Sequence, residues 1–147
     1  MNPDNSRAPQ IDHVELFVPD QYKAAKWYKE VFGLEILREY EFWAPDGGPL
    51  MISADGGKTK LALFVGTSRG TRETAGHHRV AFRVDGPTFV DFVKRAKTMP
   101  LFDNQIQPQD ALEVFDHQKS FSVYFCDPWG NRFELTTYDY AFVSKQK

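Results

Sequence analysis

The sequence predicts an α+β fold built from two tandem βαβββ modules that share one cavity, and two observations predict it. The segment IDHVELFVPD, opening at Ile11, is answered by HHRVAFRVDG, opening at His77, and each is a short strand running into an amphipathic helix. The segment PLMISADGGKTKLAL, ending at Leu63, is answered by FSVYFCDPWGNRFEL, ending at Leu135, and each reads as a hairpin. Two copies of one supersecondary unit usually build a single cavity between them, so positions where the copies differ point to the chemistry.

The elements follow in order. Residues 1–10 read as a polar leader without a signal peptide's apolar segment. A strand spans Ile11 to Val18, and a helix starts at the cap Asp20 and stops before Gly33. Its apolar stripe is Ala24, Ala25, Tyr28, Val31 and Phe32. LEILREYEFWA alternates well enough to predict a second strand, ending in a turn over Pro45, Asp46, Gly47, Gly48 and Pro49. LMISA and KLALFV predict two strands joined through Asp55, Gly56 and Gly57. Module one thus covers 11–66, a polar linker 67–76, and module two 77–138, with a tail over 139–147. The second helix starts near Pro87 with Asp85 as cap, and its stripe is Phe89, Val90, Val93 and Ala96. Pro100 to Asp110 reads as irregular, with strands resuming near Leu112, Phe121 and Arg132.

Composition narrows the function. The chain has 147 residues, 41% of them hydrophobic, enough for a core. A net charge of −2 without a local Lys/Arg cluster gives no electrostatic footprint for nucleic acid. No apolar run approaches the roughly 18 residues of a membrane span. The single cysteine, Cys126, excludes an internal disulfide and fits a reducing, cytoplasmic setting, and its place in a strand pattern predicts a buried, inert thiol.

Three strings, DHVELFV, AAKWYKEVFGLEI and YFCDPWGNRFELTTY, together with the repeated element order, resemble the vicinal oxygen chelate superfamily of glyoxalases, bleomycin-resistance proteins, fosfomycin-resistance enzymes and extradiol dioxygenases. The likeness covers roughly residues 11–138, and its most specific part is Asp-Pro-x-Gly-Asn followed by x-x-Glu-Leu. It implies that the two modules form an open barrel around one cavity, that a divalent metal sits inside, and that two copies pair as a homodimer. The implied metal ligands are His13, His78 and Glu134, with iron(II) foremost and manganese, zinc, cobalt or nickel as alternatives.

Strand parity bears on those ligands. Val14, Leu16 and Val18 share one face, so His13, Glu15 and Phe17 share the other, toward the expected cavity. Aligning the apolar faces puts Val14 on Val80 and His13 on Arg79. Aligning the helices shifts the register by one and puts His13 on His78, which then needs a bulge to face inward. His77 shares the parity of Arg79. Either a histidine completes the set, or Arg79 stands there, pairs with Glu134, and leaves a metal-free protein. The hairpins differ as well. Asp55 matches Asp127 and Leu63 matches Leu135, so Ala62 falls on Glu134 and the first half lacks that carboxylate. A glyoxalase-type set of four donors is therefore not available.

The last forty residues also resemble the extradiol signature through His117, Tyr124, Asp127-Pro128, Gly130 and Glu134, with Phe115 as the one departure. That resemblance implies His117 and Tyr124 as catalytic residues handling substrate protons beside the metal. Strand parity makes Glu15 a cavity carboxylate that meets Arg79 or Arg83 across the modules, and Glu15 and Arg79 are the expected substrate-binding residues. The leading expectation is a metal-dependent enzyme whose small substrate, aromatic on this reading, chelates through adjacent oxygens. The alternatives are a glyoxalase-like lyase, isomerase or thiol transferase, or a metal-free ligand-binding protein.

Overall fold

The computed structural model describes residues 9–67, 73 and 76–146, so most of the expected leader and linker lie outside the described residues. The chain divides into two compact units, Met1–Ser68 and Arg69–Lys147. The first contains β1 (His13–Val18), α1 (Gln21–Phe32), β2 (Glu35–Ile36), β3 (Leu50–Ser53) and β4 (Lys60–Val65). The second contains β5 (Val80–Arg83), α2 (Gly86–Arg95), β6 (Phe115–Asp116), β7 (Phe121–Cys126), β8 (Arg132–Thr137) and α3 (Tyr140–Ser144). Each unit holds a mixed four-stranded sheet, in the orders β1-β4-β3-β2 and β5-β8-β7-β6. In both, the first strand runs parallel to the last, and the last two form a hairpin.

Helix α1 forms where its caps predict. Asp20 accepts the backbone N–H groups of Tyr22 and Lys23 at 3.1 and 3.0 Å, and Gly33 ends the helix with φ of 73°. Its buried stripe is Ala24, Ala25, Trp27, Tyr28 and Val31, with the Trp27 ring edge-on to Tyr28 at 4.9 Å. Trp27 replaces Phe32 in the expected stripe. Asp85 caps α2 by accepting the Thr88 N–H at 2.9 Å. Phe89, Phe92 and Ala96 are buried there, whereas the sequence pointed to Val90 and Val93 beside Phe89. The Phe92 ring meets Phe125 at 5.4 Å and so aims α2 at the sheet.

The segment read as a long second strand is mostly not one. Only Glu35 and Ile36 pair with β3, and Arg38–Asp46 is 3₁₀-helical. The tight helix brings residues three apart into register, and the Tyr40 and Trp43 rings stack at 4.9 Å with 17° between planes. What looks like alternation across Tyr40 and Phe42 is the shadow of that i,i+3 spacing. The strand expected near Leu112 begins at Phe115. Residues 100–110 are irregular, held by isolated bridges from Phe102 to Pro108 and Cys126. The tail contains α3, docked where Tyr140 stacks on Phe121 at 4.6 Å and bonds Asp116 through its hydroxyl at 2.8 Å. Among the described residues no helix is long and apolar enough to cross a membrane.

The two hairpin turns repeat one hydrogen-bond scheme. Asp55 accepts the N–H of Thr59 at 3.0 Å, and Asp127 accepts the N–H of Asn131 at 2.8 Å, each four residues on. The Thr59 N–H, with the hydroxyls of Ser53 and Thr59, holds the Asp55 carboxyl far below its ordinary range. Each turn delivers the last strand of its unit, and the second delivers Arg132 and Glu134.

Candidate functional site in the second unit

In β7 and β8 the period of two separates a core face from a cavity face. Val123, Phe125, Phe133 and Leu135 are buried, with Phe125 against α2. Ser122 and Tyr124 take the opposite face and pair across the ladder with Thr136 and Glu134. A cavity of about 330 Å³ is lined by Arg79, Asp103, Asn104, Gln109, Phe115, Tyr124 and Arg132, and the largely buried Phe125 and Phe133 also reach its wall.

Tyr124 is the hub of this cavity. Its hydroxyl lies 2.8 Å from Nε2 of His117, the edge of its ring meets Phe115 at 5.4 Å, and the Arg79 guanidinium lies over its face at 4.5 Å. The last contact is a cation–π arrangement, favourable because the ring face carries negative charge density. The structure therefore brings His117, Tyr124 and Arg79 together. Phe115, the departure from the extradiol signature, stacks near-parallel to His117 at 6.5 Å and forms part of the same wall. Glu134 is half-buried and bonded to the Ser122 hydroxyl at 2.8 Å. No ion pair between Arg79 and Glu134 occurs among the described residues.

The parallel pairings decide the register of the repeat. Glu15 faces Ala62 in the first unit, and Ala81 faces Glu134 in the second. Leu16 faces Leu63 as Phe82 faces Leu135. Counting back along both strands makes Arg79 the counterpart of His13, as alignment of the apolar faces requires. His78 is exposed, and both its ring nitrogens meet guanidinium donors, Arg79 at 2.9 Å and Arg132 at 3.2 Å. His77 is exposed too.

In the first unit His13 has the face that parity assigns it. Nδ1 meets Asp12 at 2.7 Å and Nε2 meets Glu15 at 3.1 Å. The hydrogen bond to Asp12, then that to Glu15, raises the His13 pKa above its ordinary value, while His13 and then Lys60 lower that of Asp12. The Lys60 side chain, only 10% exposed, donates to Asp12 at 2.9 Å and to the Gly57 carbonyl at 2.7 Å. A cavity of about 200 Å³ adjoins His13 and is lined by Tyr40, Trp43, Met51 and Lys60 among others.

These arrangements bear on the expected metal centre. A ligand imidazole must offer a nitrogen lone pair, and a neutral ring has one. His13 with two carboxylate partners is arranged to donate from both nitrogens, and the lone pair of His78 faces a guanidinium. Arg79, at the counterpart place, has no lone pair to give. Among the described residues no three His, Cys, Asp or Glu side chains form a group able to hold a metal ion. Within either unit, taken by itself, the described residues supply no three-donor centre.

Arg132, Tyr40, Trp43 and Lys60 escaped the sequence reading. Arg132 had a signal, because it shares the parity of Glu134 two residues on. Tyr40 and Trp43 were hidden by the misread period. Cys126 is 2% exposed, and burial followed by the neighbouring Asp127 charge pushes its thiol pKa up. A thiol-reactive disulfide reagent should therefore leave the native protein nearly untouched at neutral pH and titrate one thiol per chain in denaturant. Fast reaction of the folded chain would contradict this burial.

Each unit thus pairs a helix-backed mixed sheet with a cavity edged by polar groups, the setting of a small-molecule site. The chain belongs to the glyoxalase/bleomycin resistance protein/dioxygenase superfamily, whose family model matches residues 10–135. No curated protein matches it. Among solved structures it is similar to oxidase ChaP-H2, at 22% identity and TM-score 0.60 over 88% of this chain and 94% of that one. A putative glyoxalase family protein from Bacillus anthracis is 22% identical at TM-score 0.59, with 90% and 98% covered. A mutant of the fosfomycin resistance protein FosX from Listeria monocytogenes, complexed with Mn(II) and 1S,2S-dihydroxypropylphosphonic acid, is 18% identical at TM-score 0.61, with 93% and 96% covered. At these identities the likeness is one of fold.

Proposed function

We propose that this protein binds a small planar molecule in the cavity of its second unit, and that recognition uses Arg79 and Tyr124 in place of a three-donor metal centre. The observation that carries this reading is the Arg79 guanidinium over Tyr124, at the position whose counterpart in the repeat is His13. An aromatic wall of Tyr124 and Phe115 suits a flat ligand, and His117 at the Tyr124 hydroxyl fixes the rotamer of that wall.

The test is a panel of planar aromatics, catechol included, titrated calorimetrically into protein dialysed against chelator. Binding should survive the chelator, and Tyr124→Ala should weaken it about tenfold, the size of a lost stacking contact. Binding that vanishes with chelator and returns with manganese or iron(II) would reverse the reading. It would favour the metal-dependent enzyme acting on vicinal oxygens, with His13, His78 and Glu134 as ligands and Glu15 beside the substrate. Oxygen-dependent turnover of catechol would then mark the extradiol form of that chemistry, with His117 and Tyr124 managing protons. The proposal includes a homodimer working in a reducing cytoplasm, and light scattering of the purified chain checks the dimer.

A further inference from the structure

We infer that the ligand carries a carboxylate, taken between Arg79 and Arg132 while its ring lies against Tyr124 and Phe115. This rests on the small-molecule reading of the same cavity and names the chemical class that it selects.

The starting point is a pair of cations at neighbouring strand starts. Val80 pairs with Phe133 in the parallel ladder, so Arg79 and Arg132 sit side by side one residue earlier. Adjacent strands are about 4.8 Å apart, close enough for two guanidiniums to repel unless an acceptor lies between them. In the free protein that acceptor is His78, with Arg79 on Nε2 at 2.9 Å and Arg132 on Nδ1 at 3.2 Å. A neutral imidazole has one lone pair and one N–H. In either tautomer one guanidinium therefore faces an N–H, and the histidine satisfies only one of the two. Arg79 Nε is also buried without a hydrogen-bond partner among the described residues.

A carboxylate resolves the mismatch. Its two oxygens carry about four lone-pair sites and accept from both guanidiniums at once, which an imidazole cannot do. Exposed His78 precedes β5 and is free to be displaced. The acidic groups nearby each hold other donors through one oxygen. Asp103 lines the cavity, but its Oδ1 accepts the N–H groups of Gln105 and Gln107 at 2.9 and 3.0 Å. Glu134 is held by Ser122 at 2.8 Å. The Tyr124 ring holds the Arg79 guanidinium carbon 4.5 Å from its centroid, at the wall of the same cavity.

The experiment titrates the full chain with benzoate and with benzamide, which keeps the ring and loses the charge. Benzoate should bind about tenfold or more tightly than benzamide, the usual margin for charge-assisted over neutral bonds. Arg132→Gln should bring the two within about threefold of each other. Arg83→Gln, on the same strand as the cavity edge but outside the cavity lining, should leave the preference intact. Equal binding of both probes, still sensitive to Tyr124→Ala, overturns the carboxylate and leaves the small-molecule reading standing. An undiminished benzoate preference in Arg132→Gln overturns the paired-arginine site. Binding of neither probe overturns the inference as well, while the aromatic panel independently decides the broader reading.

Discussion

Phe133→Ala should lower the stability of the folded chain by about 3–5 kcal/mol, the cost of deleting a buried aromatic ring and leaving a cavity. The ring is 1% exposed, and it stacks on Phe82 at 6.1 Å and Phe125 at 6.4 Å. Phe125 passes the contact on to Phe92 of α2 at 5.4 Å, so one ring ties β5, β7 and, at one remove, the helix. Domains hold only about 5–15 kcal/mol in total, so the loss is a large fraction. The melting temperature should fall by roughly 10 °C, and urea unfolding followed by far-ultraviolet circular dichroism should show the lower midpoint. Phe133→Leu should recover more than half of the loss. A midpoint within error of the parent would mean that this aromatic chain does not hold the second sheet to its helix.

Asp127→Ala is expected to cost about 3 kcal/mol, because it strips an acceptor from three donors at once. The carboxylate is 0% exposed. Oδ1 accepts the backbone N–H groups of Trp129 and Asn131 at 2.9 and 2.8 Å, and Oδ2 takes the Asn131 amide at 2.8 Å. Charge-assisted bonds of this kind exceed neutral ones, and their loss leaves buried donors unpaired. Asp55→Ala removes the equivalent carboxylate from an exposed turn and should cost less, since water replaces the acceptor. Because the Asp127 turn launches β8, the same substitution should also weaken benzoate binding through displaced Arg132. Stability loss with benzoate affinity unchanged would separate the turn from the site.

Much of the architecture was legible because local rules and the repeat agreed. Asp20, Gly33 and Asp85 stand at helix ends as their chemistry requires, and both hairpins fall where the matched strings put them. The misreadings have a common physical source. Tyr40, Phe42 and Trp43 suit either a strand or a 3₁₀ turn, and only the short pairing of β2 with β3, broken after Ile36, chooses the turn. Likewise Val90 and Val93 fit a helical stripe as well as Phe92 does, until Phe125 selects the larger ring.

The site divided in the same way. Parity alone set His13 beside Glu15, and the resemblance to the extradiol signature set His117 and Tyr124 in one neighbourhood. The sequence by itself determined the repeated element order and its hairpins, since these follow from spacing along one chain, and it carried the strings that resemble the superfamily. Whether Arg79 or His78 answers to His13 was decided only by tertiary structure. A one-residue slip reverses which side chains face the cavity, and the parallel ladder of β5 with β8 supplies the long-range hydrogen bonds that fix it.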